Sequence, residues 1–108
     1  MDLNKADTHK NMPPQTVDEA VAKLLSDLPL EVKVKVSKMQ EKDLDLLYPN
    51  LGLYIQHEFR LRQGNDALMD SCREYVGDDD VYPENAAAII LVALWQALLQ
   101  THALRSVK

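Results

Sequence analysis

From Ala86 to Leu99 the chain offers water almost no polar face: three alanines, Ile89, Ile90, Leu91, Val92, Ala93, Leu94 and Trp95 follow one another without a break. A helix that is apolar all round must be surrounded, so this segment predicts the centre of an all-α domain. Its start is marked too. Pro83 suits the first helical position, where its missing N–H is not needed, and Glu84 favours the positive end of the helix dipole. The unbroken run Ala86–Trp95 has ten residues, half of the ~20 that a membrane-spanning helix needs.

The rest of the chain must then supply the cover. Thr16-Val17-Asp18-Glu19 reads as a capping box, in which the Thr16 hydroxyl accepts from the Glu19 amide while Glu19 reaches back to the Thr16 amide. Val17, Ala20, Val21, Leu24, Leu25 and Leu28 follow at helical spacing, and Pro29 stops the helix. Leu30 to Ser37 is ambiguous. Leu30, Val32, Val34 and Val36 alternate with polar residues as in a half-buried strand, yet Val32, Val36 and Met39 also share a helical face. A lone strand leaves its backbone unpaired unless another chain adds a partner, so a helix is expected, and the losing option implies an intermolecular sheet. A short helix or turn, Glu41 to Leu47, precedes Tyr48-Pro49-Asn50. Asn50 is the expected cap of a helix with Leu51, Tyr54, Ile55 and Phe59 inward and Gly64 as its stop. Gly52 fits its first turn or a close helix contact. Asn65 caps a helix to Val76, with Leu68, Cys72, Tyr75 and Val76 inward and Gly77 ending it.

At 108 residues, 46% hydrophobic and 27% charged, the chain suits one domain of five or six helices, residues 16–105, behind a flexible arm at residues 1–15. The first residues lack a basic stretch followed by an apolar region, so a soluble, cytoplasmic protein without a secretory signal is expected. The single cysteine, Cys72, excludes an internal disulfide and fits a reducing compartment. Of the net charge of −5, residues 41–80 carry ten acids against four bases. Such a middle repels phosphate backbones, which argues against a nucleic-acid partner.

Met39, Asp43-Leu44, Leu51-Gly52, Tyr54-Ile55, Phe59 and Leu61, followed later by Tyr82-Pro83-Glu84-Asn85 and Ile89-Ile90, resemble a family of small bacterial all-helical domains of unknown function. The resemblance covers about residues 28 to 100 and rests mainly on core and turn residues. It implies the fold and brings no catalytic residues. Gln56-His57 departs from the Arg-Asn pair common in that pattern, and Phe59 stands where a Trp is frequent.

No constellation of catalytic residues emerges. His57 and Glu58 are adjacent on a helix and diverge by about 100°, so they read as a solvated face rather than a base with its carboxylate. His57, His102 and Cys72 are metal-competent residue types, but their spacing matches no short motif. Cys72 has Leu68, Tyr75 and Val76 as helix neighbours and no base, as a core thiol would. Asp78-Asp79-Asp80 lacks the spaced acids and later Glu of a calcium loop and reads as a solvated turn. Arg60, Arg62 and Arg73 could gather round an anion or pair with nearby acids. Tyr54, Phe59, Tyr75, Tyr82 and Trp95 have the spacing of core aromatics.

The expected function is therefore a non-catalytic protein-binding or adaptor module that needs no cofactor and no metal. Two surfaces are candidates: an acidic one of Glu41, Asp43, Asp45, Asp78, Asp79 and Asp80, suited to a basic partner, and a polar face of Gln56, His57 and Arg60. The alternatives are a small-ligand module or enzyme with a pocket near His57 and Arg60, and a structural homo-oligomer.

Overall fold

Pro83 opens the last and longest helix, and the residue before it is fixed on both sides: the Asn85 side chain accepts from the Tyr82 N–H at 3.0 Å, and the Tyr82 carbonyl takes the Ala86 N–H at 2.8 Å. The computed structural model describes residues 12–107, with side chains described through residue 100. Five α-helices are found among them: α1 (Val17–Asp27), α2 (Leu30–Ser37), α3 (Leu53–Glu58), α4 (Asp66–Val76) and α5 (Pro83–Val107). A 3₁₀ segment, Glu41–Leu47, and a π turn, Tyr48–Gly52, lead from α2 into α3. Every one of these elements packs on α5. Ala86, Ala87, Ile90, Leu91, Ala93, Leu94 and Leu98 are buried, and Ile89, Val92 and Trp95 pack against the same core. Along Pro83–Gln100 only Glu84, Asn85, Gln96 and Gln100 are exposed. The all-α core around this helix is as the sequence leads one to expect.

Local signals explain most of the boundaries. Thr16 Oγ1 accepts from the Glu19 N–H at 3.0 Å, but the Glu19 carboxylate takes the Gln15 N–H at 2.9 Å, one residue earlier than a capping box would place it. The Val17 N–H is satisfied by Ser71 Oγ at 2.9 Å, which ties the start of α1 to α4. Leu28 is already extended, as a residue before proline must be, and α1 ends there. Leu30–Ser37 resolves as a helix, the option that the backbone-pairing argument favours over a strand. Lys33 Nζ closes one orphan carbonyl of α1, at Leu25, and the Trp95 indole N–H donates to the Met39 carbonyl just past α2, both at 2.8 Å.

The α3 region departs from expectation. Asn50 caps nothing; the backbone runs through a π turn, where the Leu53 N–H bonds to the Tyr48 carbonyl. Gly52 is needed because the Tyr48 ring lies across it: a Cβ there would sit 2.5 Å from Tyr48 Cδ1. Helix α3 ends at Glu58, well before Gly64. Its stop is Arg60, at φ 57°, the left-handed conformation that costs a residue with a Cβ roughly 1–2 kcal/mol. The Leu61 N–H reaches back to the Gln56 carbonyl and the Arg60 N–H to that of His57, a Schellman ending without its usual glycine. Tyr54, Tyr75 and Val76, expected inward, are exposed, as is Tyr82; Phe59 is buried and Trp95 half-buried. Along α4 the buried residues are Leu68, Met69 and Cys72, and the last turn, Glu74 to Val76, meets solvent.

Residues 1–11 of the expected arm lie outside the described residues. At its end, Pro14 is buried and its carbonyl accepts from Asn65 Nδ2 at 3.0 Å, so the chain is docked before Thr16.

Gly52→Ala must push aside a Tyr48 ring that is hydrogen-bonded at its hydroxyl, and overpacking of this kind costs about 1–3 kcal/mol. The expected outcome is a lower midpoint of chemical denaturation with unchanged helical circular dichroism.

Candidate functional site

Four polar residues close a ring at the N-terminal end of α5. Tyr48 Oη donates to the Glu84 carbonyl at 2.9 Å, Gln56 Nε2 donates to Tyr48 Oη at 2.6 Å, Arg62 Nε donates to Gln56 Oε1 at 2.8 Å, and Arg62 Nη2 meets Glu84 Oε1 at 3.3 Å. Gln56 is 6% exposed, so it does not belong to the solvated polar face expected of it. Burial pushes the Tyr48 phenol above its ordinary range, and the neighbouring Glu84 charge adds to this against Gln56 and Arg62. These bonds fasten the π turn, α3 and the start of α5 to one another, with Gln56 buried and the Arg62 and Glu84 side chains still more than half exposed.

A groove runs between the start of α1 and α4. Its larger part, about 520 Å³, is walled by Gln15, Thr16, Asp70, Ser71, Arg73, Glu74, Asp78 and Asp79. The smaller part adjoins it through Thr16, Ser71 and Glu74 and adds Asp18 and Tyr75. Five acids thus face one arginine, and Arg73 is already engaged: its guanidinium meets Asp70 at 2.8 Å and donates to the carbonyls of Asp79 and Val81. Tyr75, half exposed at 51%, stands in this acidic setting as an aromatic surface.

The structure divides the acidic residues singled out from sequence. Asp78 and Asp79 line the groove, and Asp80 lies beside them with its N–H on the Asp78 carboxylate at 2.9 Å. Glu41, Asp43 and Asp45 sit on the 3₁₀ segment and line neither part of it. Asp18, Asp70 and Glu74, which complete the groove, went unnoticed in the sequence; the i,i+4 pair Asp70 and Glu74 just before Asp78 was the available signal.

His57 and Arg60 do come together. With Met12, Pro13, Lys23, Glu58 and Gln63 they line an open depression of about 340 Å³ between α1 and the end of α3. The three arginines do not gather: Arg62 and Arg73 are used as described and neither lines the depression that Arg60 lines, although Arg62 borders a neighbouring hollow that shares His57 and Gln63 with it. Among the described residues no group of three His, Cys, Asp and Glu stands ready for a metal ion, and the side chain of His102 lies outside those described. Cys72 is fully buried, and burial pushes its thiol up to about 11, the opposite of an activated nucleophile. Among the described residues no helix is long and apolar enough to cross a membrane.

Asn65 joins these surfaces to the N-terminal strap. Its Oδ1 caps α4 through the Leu68 N–H at 3.2 Å, while Nδ2 donates to the carbonyls of Phe59 at 2.8 Å and Pro14 at 3.0 Å.

A family model described as a domain of unknown function, DUF6794, matches residues 13–98. No curated protein and no solved structure matches the chain.

Two outcomes follow from this chemistry. Tyr48→Phe leaves the Gln56 amide and the Glu84 carbonyl without their shared partner, and the expected loss is about 1–3 kcal/mol in urea denaturation. For Cys72 the folded thiol titrates above the unfolded one, so its stabilising effect is complete below about pH 8.5 and is lost as pH rises through about 11. Unfolding midpoints measured from pH 8 to 11 should fall in wild type and fall less in Cys72→Ala.

Proposed function

The chain belongs to the DUF6794 family, whose function is unknown, and for it we propose a non-catalytic binding role, the seating of a basic segment of a partner protein. The observation that carries this reading is the groove between α1 and α4, where Asp70, Glu74, Asp78 and Asp79 line the larger part and Asp18 and Glu74 stand with an exposed Tyr75 in the smaller. Carboxylates draw lysine and arginine side chains by charge, and a guanidinium can also stack on a tyrosine face. Such a combination specifies an extended basic peptide and disfavours nucleic acid, whose phosphates the same carboxylates repel.

The non-catalytic part of the reading is supported by how the reactive groups are used. The thiol is buried with a raised pKa, and Gln56, Arg62 and Glu84 are committed to one another. The single buried cysteine fits a reducing, cytoplasmic setting, which belongs to the same proposal.

Fluorescence anisotropy with a labelled arginine-rich peptide tests the groove. Binding is expected to weaken as salt rises from about 50 to about 300 mM, and Glu74→Lys and Tyr75→Ala should each weaken it by about tenfold. Affinity indifferent to salt and to both substitutions overturns the proposal.

A further inference from the structure

We propose that the depression beside Arg60 is a second binding site, separate from the acidic groove, and that its ligand is a small free amino acid. The case begins with the backbone. At φ 57° Arg60 occupies the left-handed position of the Schellman ending of α3, where glycine would form the same two hydrogen bonds without strain. Its carbonyl accepts from the N–H groups of Gln63 at 3.0 Å and Asn65 at 3.3 Å, bonds that any residue supplies equally. What arginine adds to the position is a guanidinium on an exposed residue that lines the depression.

The neighbours define the ligand class. Lys23 and Arg60 supply cationic donors, His57 and Gln63 supply groups able to donate or accept, and Glu58 supplies one carboxylate. Lys23 is held by Asp27 at 3.1 Å in a partly exposed i,i+4 pair, a class of ion pair that contributes little, so its ammonium can turn towards a ligand. A fork-shaped donor beside an ammonium fits a carboxylate. The Glu58 carboxylate opposes a bare anion and matches an amine on the same molecule. A volume of about 340 Å³ is on the scale of a small metabolite.

Titration of the full chain with each common amino acid, and in parallel with acetate and inorganic phosphate, can be followed by amide chemical shifts. At least one amino acid should shift residues 57–63, with acetate and phosphate about tenfold weaker or more. Arg60→Gly should raise the thermal midpoint by a few degrees while weakening amino-acid binding by about tenfold or more. Glu58→Gln should narrow the gap between the amino acid and acetate. No shift with any amino acid, or full binding by the more stable Arg60→Gly protein, overturns the site; equal binding of acetate or phosphate overturns the ligand class. Peptide binding in the α1–α4 groove should be the same in Arg60→Gly and wild type, so failure of this site is distinguishable from failure of the groove.

Discussion

A helix without a polar side has to be wrapped, and α5 imposes that requirement on everything before it. Burial of each large apolar side chain contributes about 1.5–3 kcal/mol, and Ile90, Leu91, Leu94 and Leu98 are all essentially withdrawn from water. None of the covering helices among the described residues exceeds eleven residues. Helices that short are marginal alone, so they hold their shape because they lie on α5. The 3₁₀ segment and π turn serve the same end, bringing Leu44 and Leu51 into the core.

Apolar packing does not fix where along α5 each segment sits, and hydrogen bonds from side chains do much of that alignment. The Tyr48–Gln56–Arg62–Glu84 ring registers α3 against the start of α5, and the Trp95 indole registers the end of α2 against its middle. Both use the directionality that hydrocarbon contact lacks. Gly52 is part of the first device, since only a hydrogen at that position lets the Tyr48 ring lie close enough to reach its partners.

Signals confined to a few neighbouring residues were legible in the sequence: the Thr16 and Asn65 caps, Pro29 and Gly77 as stops, and Pro83 at the head of α5. The end of α3 was not, because Arg60 carries no mark of a left-handed residue and Gly64 offered a false one. Gln56 looked like surface because its side-chain partners, Arg62 and Tyr48, stand six and eight residues away, outside α3. Tyr75 kept helical spacing with Leu68 and Cys72, yet periodicity does not say how far along α4 the core extends, and its last turn lies beyond it. Of the candidate sites, the meeting of His57 with Arg60 could be foreseen from one helix end, whereas a groove built from Asp18 and Glu74 joins residues that only folding makes neighbours.

The strap from Met12 to Thr16 gives these surfaces a common boundary. Met12 and Pro13 wall the depression beside Arg60, and Gln15 and Thr16 wall the acidic groove; between them Pro14 is buried and moored to Asn65. Five successive residues are therefore a party wall, pinned at its midpoint by a single amide. The same Asn65 side chain caps α4 and holds the Phe59 carbonyl at the end of α3, so one residue ties the strap to both helices that the two surfaces border.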